Sequence, residues 1–158
     1  MVTNINNNFD LYSSDLSNID KIKFGIVLSN WNKNITDNLY NGVLKTLLKY
    51  GAKENNIKKL EVPGSFELVY GCKKMQNENL DVIIAIGCVI KGETDHYDYI
   101  CSSVSNGITQ LNIINDTPIV FCVLTDHNIE QSISRSGGKH GNKGVESAIA
   151  AIKIASIL

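Results

Sequence analysis

The stretch VIIAIGCVI, residues Val82–Ile90, is the longest apolar run of the chain. It is much shorter than the ~20 residues that a membrane-spanning helix needs, and it is rich in β-branched side chains. Strands that are apolar on both faces belong to parallel sheets whose two faces are covered by helices. The run therefore predicts a buried strand of such a sheet.

Segments of alternating type surround this strand. Ile35, Leu39, Val43 and Leu47 recur at helical spacing, with Asn34 as the predicted N-cap and Gly51 as the C-terminal stop. Further strands are predicted at Lys23–Ser29, Asn55–Val62 and Ile119–Thr125, and further helices at Ser65–Glu78, Asp98–Asn115, Asn128–Arg135 and Lys143–Leu158. Strands that alternate with helices predict a three-layer α/β/α sandwich with a central four-stranded parallel sheet, of flavodoxin-like type.

Length and composition indicate one globular domain. The chain has 158 residues, of which 43% are hydrophobic and 20% charged. We expect residues 1–20, which are rich in asparagine, to be a flexible leader, and residues 21–158 to be a single catalytic α/β domain.

Charge and targeting signals narrow the choice of partners. A net charge of −1 gives no broad cationic face, so neither a nucleic acid nor a membrane is expected as a partner. The N-terminus lacks the basic start and apolar core of a signal peptide, which predicts a cytoplasmic protein.

The cysteines and histidines do not form a metal-binding pattern. The four cysteines are more than ten residues apart, and no CxxC or HExxH motif occurs. Cys88 and Cys122 lie in apolar runs, where cysteine usually acts as a small hydrophobic residue. We expect structural thiols and no metal.

Reactive and polar residues follow the predicted strands. In open parallel sheets, ligands bind beyond the carboxyl ends of the strands. Trp31, the only tryptophan, follows the first strand among asparagines, a setting that favours stacking on a flat heterocycle over core packing. Ser65, Phe66 and Glu67 begin a predicted helix, where Glu67 either binds a ligand or complements the helix dipole.

The segment KGETDHYDY, which begins at Lys91, has the highest density of such groups. Histidine is the side-chain type best suited to proton transfer near neutral pH, which makes His96 the candidate in this segment. Thr94 offers a hydroxyl, and Glu93 is one of the acids beside the histidine. The position of His96 after a buried strand favours a catalytic role over the role of a solvated surface histidine.

The segment SRSGGKHGNKG, residues Ser134–Gly144, allows two interpretations. It is either a flexible connection between two helices or a seat for a small anion, in which Arg135 supplies a planar set of donors. The site as a whole fits either a reaction between a flat nitrogen heterocycle and a phosphorylated carbonyl compound or a passive nucleotide-binding module.

Together these segments resemble the lumazine synthase family. The resemblance extends from Phe24 onward and rests on the stretches FGIVLSNWN, VPGSFELV, IAIGCVIKGETDHYDYICSSVSNGI, PIVFCVLT and NIEQSISRSGGKHGNKGVESA. It implies a cofactor-independent condensation of 5-amino-6-(D-ribitylamino)uracil with 3,4-dihydroxy-2-butanone 4-phosphate, which forms 6,7-dimethyl-8-ribityllumazine. A lumazine- or flavin-binding protein and an archaeal-type riboflavin synthase are the alternatives.

The resemblance also implies roles for individual residues. His96 would relay protons, and Glu93, Thr94 and Arg135 would hold the phosphate. The implied pyrimidine and ribityl subsite comprises Trp31, Ser65, Phe66, Glu67, Val89, Ile90, Lys91, Phe121 and Lys143. Phe121, Arg135 and Lys143 would come from the adjacent subunit of a pentamer, a decamer or an icosahedral 60-mer. The leader would pair with a neighbouring subunit, and riboflavin synthase would be a partner.

Overall fold

The computed structural model describes residue 11 and residues 17–157. Its main sheet has four parallel strands in the order β2-β1-β3-β4. The strands are β1 (Phe24–Ser29), β2 (Ile57–Val62), β3 (Val82–Ile90) and β4 (Ile119–Asp126). Most of the predicted leader lies outside the described residues, so its pairing with a neighbouring subunit stays a prediction.

The apolar run that begins at Val82 is an inner strand of this sheet. β3 lies between β1 and β4, with Ile84 opposite Ile26 on one side and opposite Val120 on the other. Its residues from Val82 to Cys88 are all buried, as the unbroken apolar pattern predicts.

Helices cover both faces of the sheet and complete the predicted α/β/α sandwich. The helices are α1 (Lys33–Lys49), α2 (Leu68–Met75), α3 (His96–Ile114), α4 (Ile129–Arg135) and α5 (Lys143–Ala155). α1 and α5 pack on one face through residues such as Leu39 and Ile152. α2 and α3 pack on the other through Leu68 and Ile108. Within the described residues, no helix has both the length and the apolar content needed to cross a membrane.

The ends of α1 show one correct and one wrong prediction. The residue before the helix is Asn32, with a left-handed φ of 54°, so the prediction of Asn34 as N-cap is wrong. Gly51 ends the helix as predicted, with a φ of 105°. The amides of Gly51 and Ala52 donate to the carbonyls of Leu48 and Leu47, which is the Schellman pattern of a helix end.

Three other helices begin at different residues than predicted, and α4 differs only by one residue, because Asn128 is its N-cap. α3 begins at His96, two residues before the predicted start at Asp98. α2 begins at Leu68, because Ser65–Glu67 form a turn in which the Ser65 carbonyl accepts from the Leu68 amide. The shifts of α2 and α3 fall next to the predicted ligand-binding segments.

The glycine-rich segment between α4 and α5 is folded. β5 (Ser136–Gly138) and β6 (Gly141–Asn142) form a two-stranded antiparallel ribbon. Gly137 and Gly141 have φ values of 119° and 77°, which side chains other than glycine rarely adopt. The segment therefore forms a defined turn, and the choice between a connection and an anion seat stays a prediction.

Candidate active site

A cleft of about 530 Å³ opens beyond the carboxyl ends of the sheet strands. β2 and β3 lie on opposite sides of β1 in the sheet, so the chain changes direction across the sheet between β1 and β3. The topological switch point therefore lies between these two strands. The cleft is lined by Trp31, Gly64, Ser65, Phe66, Glu67, Cys88, Val89, Ile90, Gly92, Thr94, His96, Tyr97 and Ile100. The loops after β1, β2 and β3 thus share one cavity of ligand-binding size.

Trp31 presents its indole at the mouth of the cleft. Trp31 is 70% exposed, so it is not a core residue. Its amide lies 3.3 Å from Ser29 Oγ, and the neighbouring Asn32 donates from Nδ2 to the Cys88 carbonyl over 3.0 Å. The turn that carries the indole is therefore fastened to the end of β3.

The turn after β2 forms a second wall. Ser65 is buried, and its hydroxyl lies 3.5 Å from the same Cys88 carbonyl. Phe66 is 55% exposed beside it. A Cβ added to Gly64 would lie 2.9 Å from Glu67 Oε2, so glycine leaves room for the carboxylate to fold over the turn. Glu67 is thereby presented to the cleft as a hydrogen-bond acceptor.

His96 stands on the third wall as the first residue of α3. Its side chain is exposed toward the cleft, and its amide is 3.4 Å from Thr94 Oγ1. Gly92 and Thr94 also line the cleft, whereas Lys91 and Glu93 are exposed beside it and are absent from its lining. The imidazole and the threonine hydroxyl therefore share the cavity with the indole.

Tyr97, to which the sequence pattern assigns no role, also lines the cleft next to His96. The Lys91 ammonium lies 5.7 Å from the centre of the Tyr97 ring. The ring of His127 packs edge-on against the Tyr97 ring, with 6.2 Å between the two ring centres. Burial raises the pKa of the Tyr97 hydroxyl. The position of Tyr97 in the segment KGETDHYDY was the signal in the sequence that could have identified it. That it lines the cleft is known only from the structure.

The other three predicted residues lie elsewhere in the chain. A second cavity, of about 640 Å³, surrounds β4 and contains Phe121, Arg135 and Lys143. Phe121 is 41% exposed on this edge strand. The Lys143 ammonium is 2.8 Å from the carboxylate of Glu146. Among the described residues, none lines both cavities.

Burial raises the pKa of all four thiols. The pKa of Cys72 rises to about 12 and that of Cys122 to about 11. Cys72, Cys88 and Cys122 belong to the hydrophobic core, as the sequence predicts, whereas Cys101 is half-buried and its role stays a prediction.

The first cleft can hold a flat, polar molecule. It offers an exposed aromatic face, a carboxylate and an imidazole within one cavity at the carboxyl edge of a parallel sheet. Fold and cleft together define the class of the protein: a doubly wound α/β protein with a small-molecule site at the switch point of its sheet.

Comparison with known proteins gives the family. The model of the 6,7-dimethyl-8-ribityllumazine synthase family matches residues 21–158. The 6,7-dimethyl-8-ribityllumazine synthase of Christiangramia forsetii is 52% identical, with 99% of this chain and 95% of that protein covered. The Bacteroides fragilis enzyme of the same name is 54% identical over 84% of this chain and 94% of its own length. The chain belongs to this family, and it is a transferase of riboflavin biosynthesis.

Proposed function

We propose that this chain condenses 5-amino-6-(D-ribitylamino)uracil with 3,4-dihydroxy-2-butanone 4-phosphate to give 6,7-dimethyl-8-ribityllumazine, phosphate and two waters. The relatives' names support the product, and the cleft supports the substrate class. The proposed chemistry begins when the aromatic amine attacks the ketone. Loss of water gives an imine, phosphate then leaves, and ring closure releases the second water.

The first cleft is proposed to bind the pyrimidine. Trp31 stacks on the ring, a contact worth about 1–3 kcal/mol in comparable aromatic systems. Glu67 accepts hydrogen bonds from the ribityl hydroxyls, with Ser65 and Phe66 beside it and Val89 and Ile90 at the end of β3. The exposure of the indole and the position of the Glu67 carboxylate support these roles.

His96 is proposed to move protons during imine formation and phosphate loss. Histidine is the side chain that most readily both accepts and donates a proton near neutral pH. The hydroxyl of Thr94 in the same cavity and the adjacent Glu93 backbone are proposed to contact the phosphate. Lys91 is proposed to contribute from the rim.

The phosphate is proposed to meet Arg135 of a neighbouring protomer, with Phe121 and Lys143 completing the pocket. One observation carries this proposal. Within one chain, these three residues line a cavity around the edge strand β4 that is separate from the His96 cleft. We infer that a site using both sets is built from two protomers placed side by side.

Exposed apolar side chains support such an assembly. Tyr99, Ile113 and Ile114 on α3 are each at least 70% exposed, and Ile133 on α4 is 54% exposed. Apolar surface of this kind is typical of protein contact sites. We propose a ring, a pentamer or a multiple of it up to the 60-mer. The cytoplasmic location and a partnership with riboflavin synthase stay predictions.

The test is a turnover assay with purified chain and both substrates. We expect the fluorescence of the lumazine to rise and phosphate to be released in equal amount. Tight lumazine binding without turnover would instead indicate a binding protein. Consumption of lumazine with formation of riboflavin would indicate a riboflavin synthase. Light scattering on the same sample gives the size of the assembly.

A further inference from the structure

Arg135 is held in the second cavity by two contacts. It is the last residue of α4, and its Nη1 donates to the Gln131 carbonyl one turn earlier, at 3.2 Å. Its Nε faces Asp126 Oδ1 at 3.9 Å. The side chain is still 34% exposed, so part of the guanidinium remains open to an anion.

The Asp126 carboxylate is held in turn by the buried Ser132 hydroxyl. Asp126 ends β4 and is 6% exposed, although a buried carboxylate needs strong partners to remain there. The hydroxyl of Ser132 donates to Asp126 Oδ2 at 2.8 Å, and Ser132 is completely buried. The Cys88 thiol in turn donates to Ser132 Oγ at 3.5 Å.

The network places the carboxylate in one orientation. Oδ2 is occupied by the Ser132 hydroxyl, which leaves Oδ1 directed at the guanidinium. The backbone of Asp126 is also fastened, because its carbonyl accepts from the Lys91 amide at 2.9 Å. Within residues 17–157, Arg135 is the cation in ion-pair contact with this carboxylate.

We infer that Asp126 is a positioning residue, which orients the Arg135 guanidinium toward the phosphate of the butanone substrate while Ser132 fixes the carboxylate. A long, partly exposed arginine otherwise samples many rotamers, and ordering it when the anion binds costs free energy. A fixed carboxylate beside Nε restricts the orientations of the free Arg135 side chain, so less conformational entropy is lost when the anion binds. This inference rests on the proposed role of Arg135 in phosphate binding.

The primary test is Asp126→Asn, which keeps the shape of the side chain and removes its charge. The amide oxygen still accepts from Ser132, so the fold is preserved. We expect the KM for the butanone phosphate to rise roughly threefold to thirtyfold, in the range of coupling between contacting residues. The kcat and the KM for the pyrimidine stay unchanged, which a merely structural defect would not produce.

The matched control is Glu130→Gln, which removes a negative charge from an exposed position on α4, the helix that carries Arg135. We expect it to leave every parameter unchanged. Ser132→Ala provides a second, independent variant. It frees the carboxylate without removing it, so the KM for the phosphate substrate rises in the same direction by a smaller factor.

A double-variant comparison separates this inference from the proposed function. In an Arg135→Ala background, Asp126→Asn has no further effect on the KM, because the group that it positions is gone. The inference is overturned if Arg135→Ala raises the KM but Asp126→Asn and Ser132→Ala do not, or if Asp126→Asn lowers it. If Arg135→Ala itself leaves the KM unchanged, the proposed phosphate role of Arg135 is the part that fails.

Discussion

Mixed oligomers give the most direct test of a site shared between protomers. One parent carries Trp31→Ala and His96→Ala, which disable the first cleft. The other carries Arg135→Ala, which disables the second cavity. Each parent forms only defective sites, because every protomer in it carries the same lesion. In a mixed ring, some sites combine an intact cleft from one protomer with an intact arginine from the next.

The expected gain follows from the geometry of a ring. Each site takes its cleft from one protomer and its guanidinium from the neighbour, and the contact repeats head to tail. With random assembly in equal amounts, about a quarter of the sites receive both intact halves, since each half is intact with a probability of one half. Loss of a charged hydrogen bond costs about 1.5–3 kcal/mol, so the arginine parent retains roughly a tenth of its activity or less at low phosphate substrate.

The assay uses the two parents co-expressed with different affinity tags and purified through both tags. Lumazine fluorescence is followed at a phosphate substrate concentration below the wild-type KM. We expect about a quarter of the wild-type rate per protomer, well above either parent.

The control mixes two parents with lesions in the same cleft, Trp31→Ala and His96→Ala. Every site then has a defective cleft, so no activity above the parents is expected. If the cleft and arginine parents also fail to complement although they assemble together, the reasoning that divides the site between protomers is refuted.

Four single changes test other parts of the argument. His96→Ala is expected to lower kcat by about 10²-fold or less, since holding two reactants together supplies much of the acceleration; an unchanged kcat in the steady-state assay contradicts its role. Trp31→Ala should weaken pyrimidine binding by about 1–3 kcal/mol, measured by calorimetry, and unchanged affinity refutes stacking. Gly144→Ala places a Cβ against a backbone carbonyl oxygen of α1 and should lower the free energy of unfolding by about 1–3 kcal/mol, measured by urea denaturation. The control is Gly92→Ala, where the added Cβ meets nothing within 4 Å, and it should leave the free energy of unfolding unchanged. Burial raises the pKa of Cys72 to about 12, well above the ordinary thiol value of about 8.5, so the unfolded chain loses this proton first. The free energy of unfolding is therefore expected to fall as the pH rises from about 9 toward 12, by up to about 1.4 kcal/mol per pH unit from this thiol. Cys72→Ala should flatten that fall in urea titrations at several pH values, and an unchanged slope counts against the assignment.

Much of the fold could be predicted from the sequence because its signals are local. The apolar run at Val82–Ile90 has no polar face, so it needs cover on both sides wherever it lies. Gly51 ends α1 because its φ of 105° strongly favours glycine. The start of α1 could not be predicted in this way. Asn32 takes a left-handed conformation while its side chain bonds the Cys88 carbonyl, a contact 56 residues away.

The sequence by itself determined the strands and the segments that follow them. Since carboxyl ends of parallel strands meet at one edge, the residues after β1, β2 and β3, among them Trp31, Glu67 and His96, were expected together, and they share one cleft. The tertiary structure alone decided how the side chains around β4 are divided. Strand order makes β4 an edge strand, so Phe121 is left exposed beside Arg135 in a separate cavity. It also brings Asp126, Ser132 and Arg135 into one network, because side-chain direction at a strand end depends on what packs against it and not on sequence spacing.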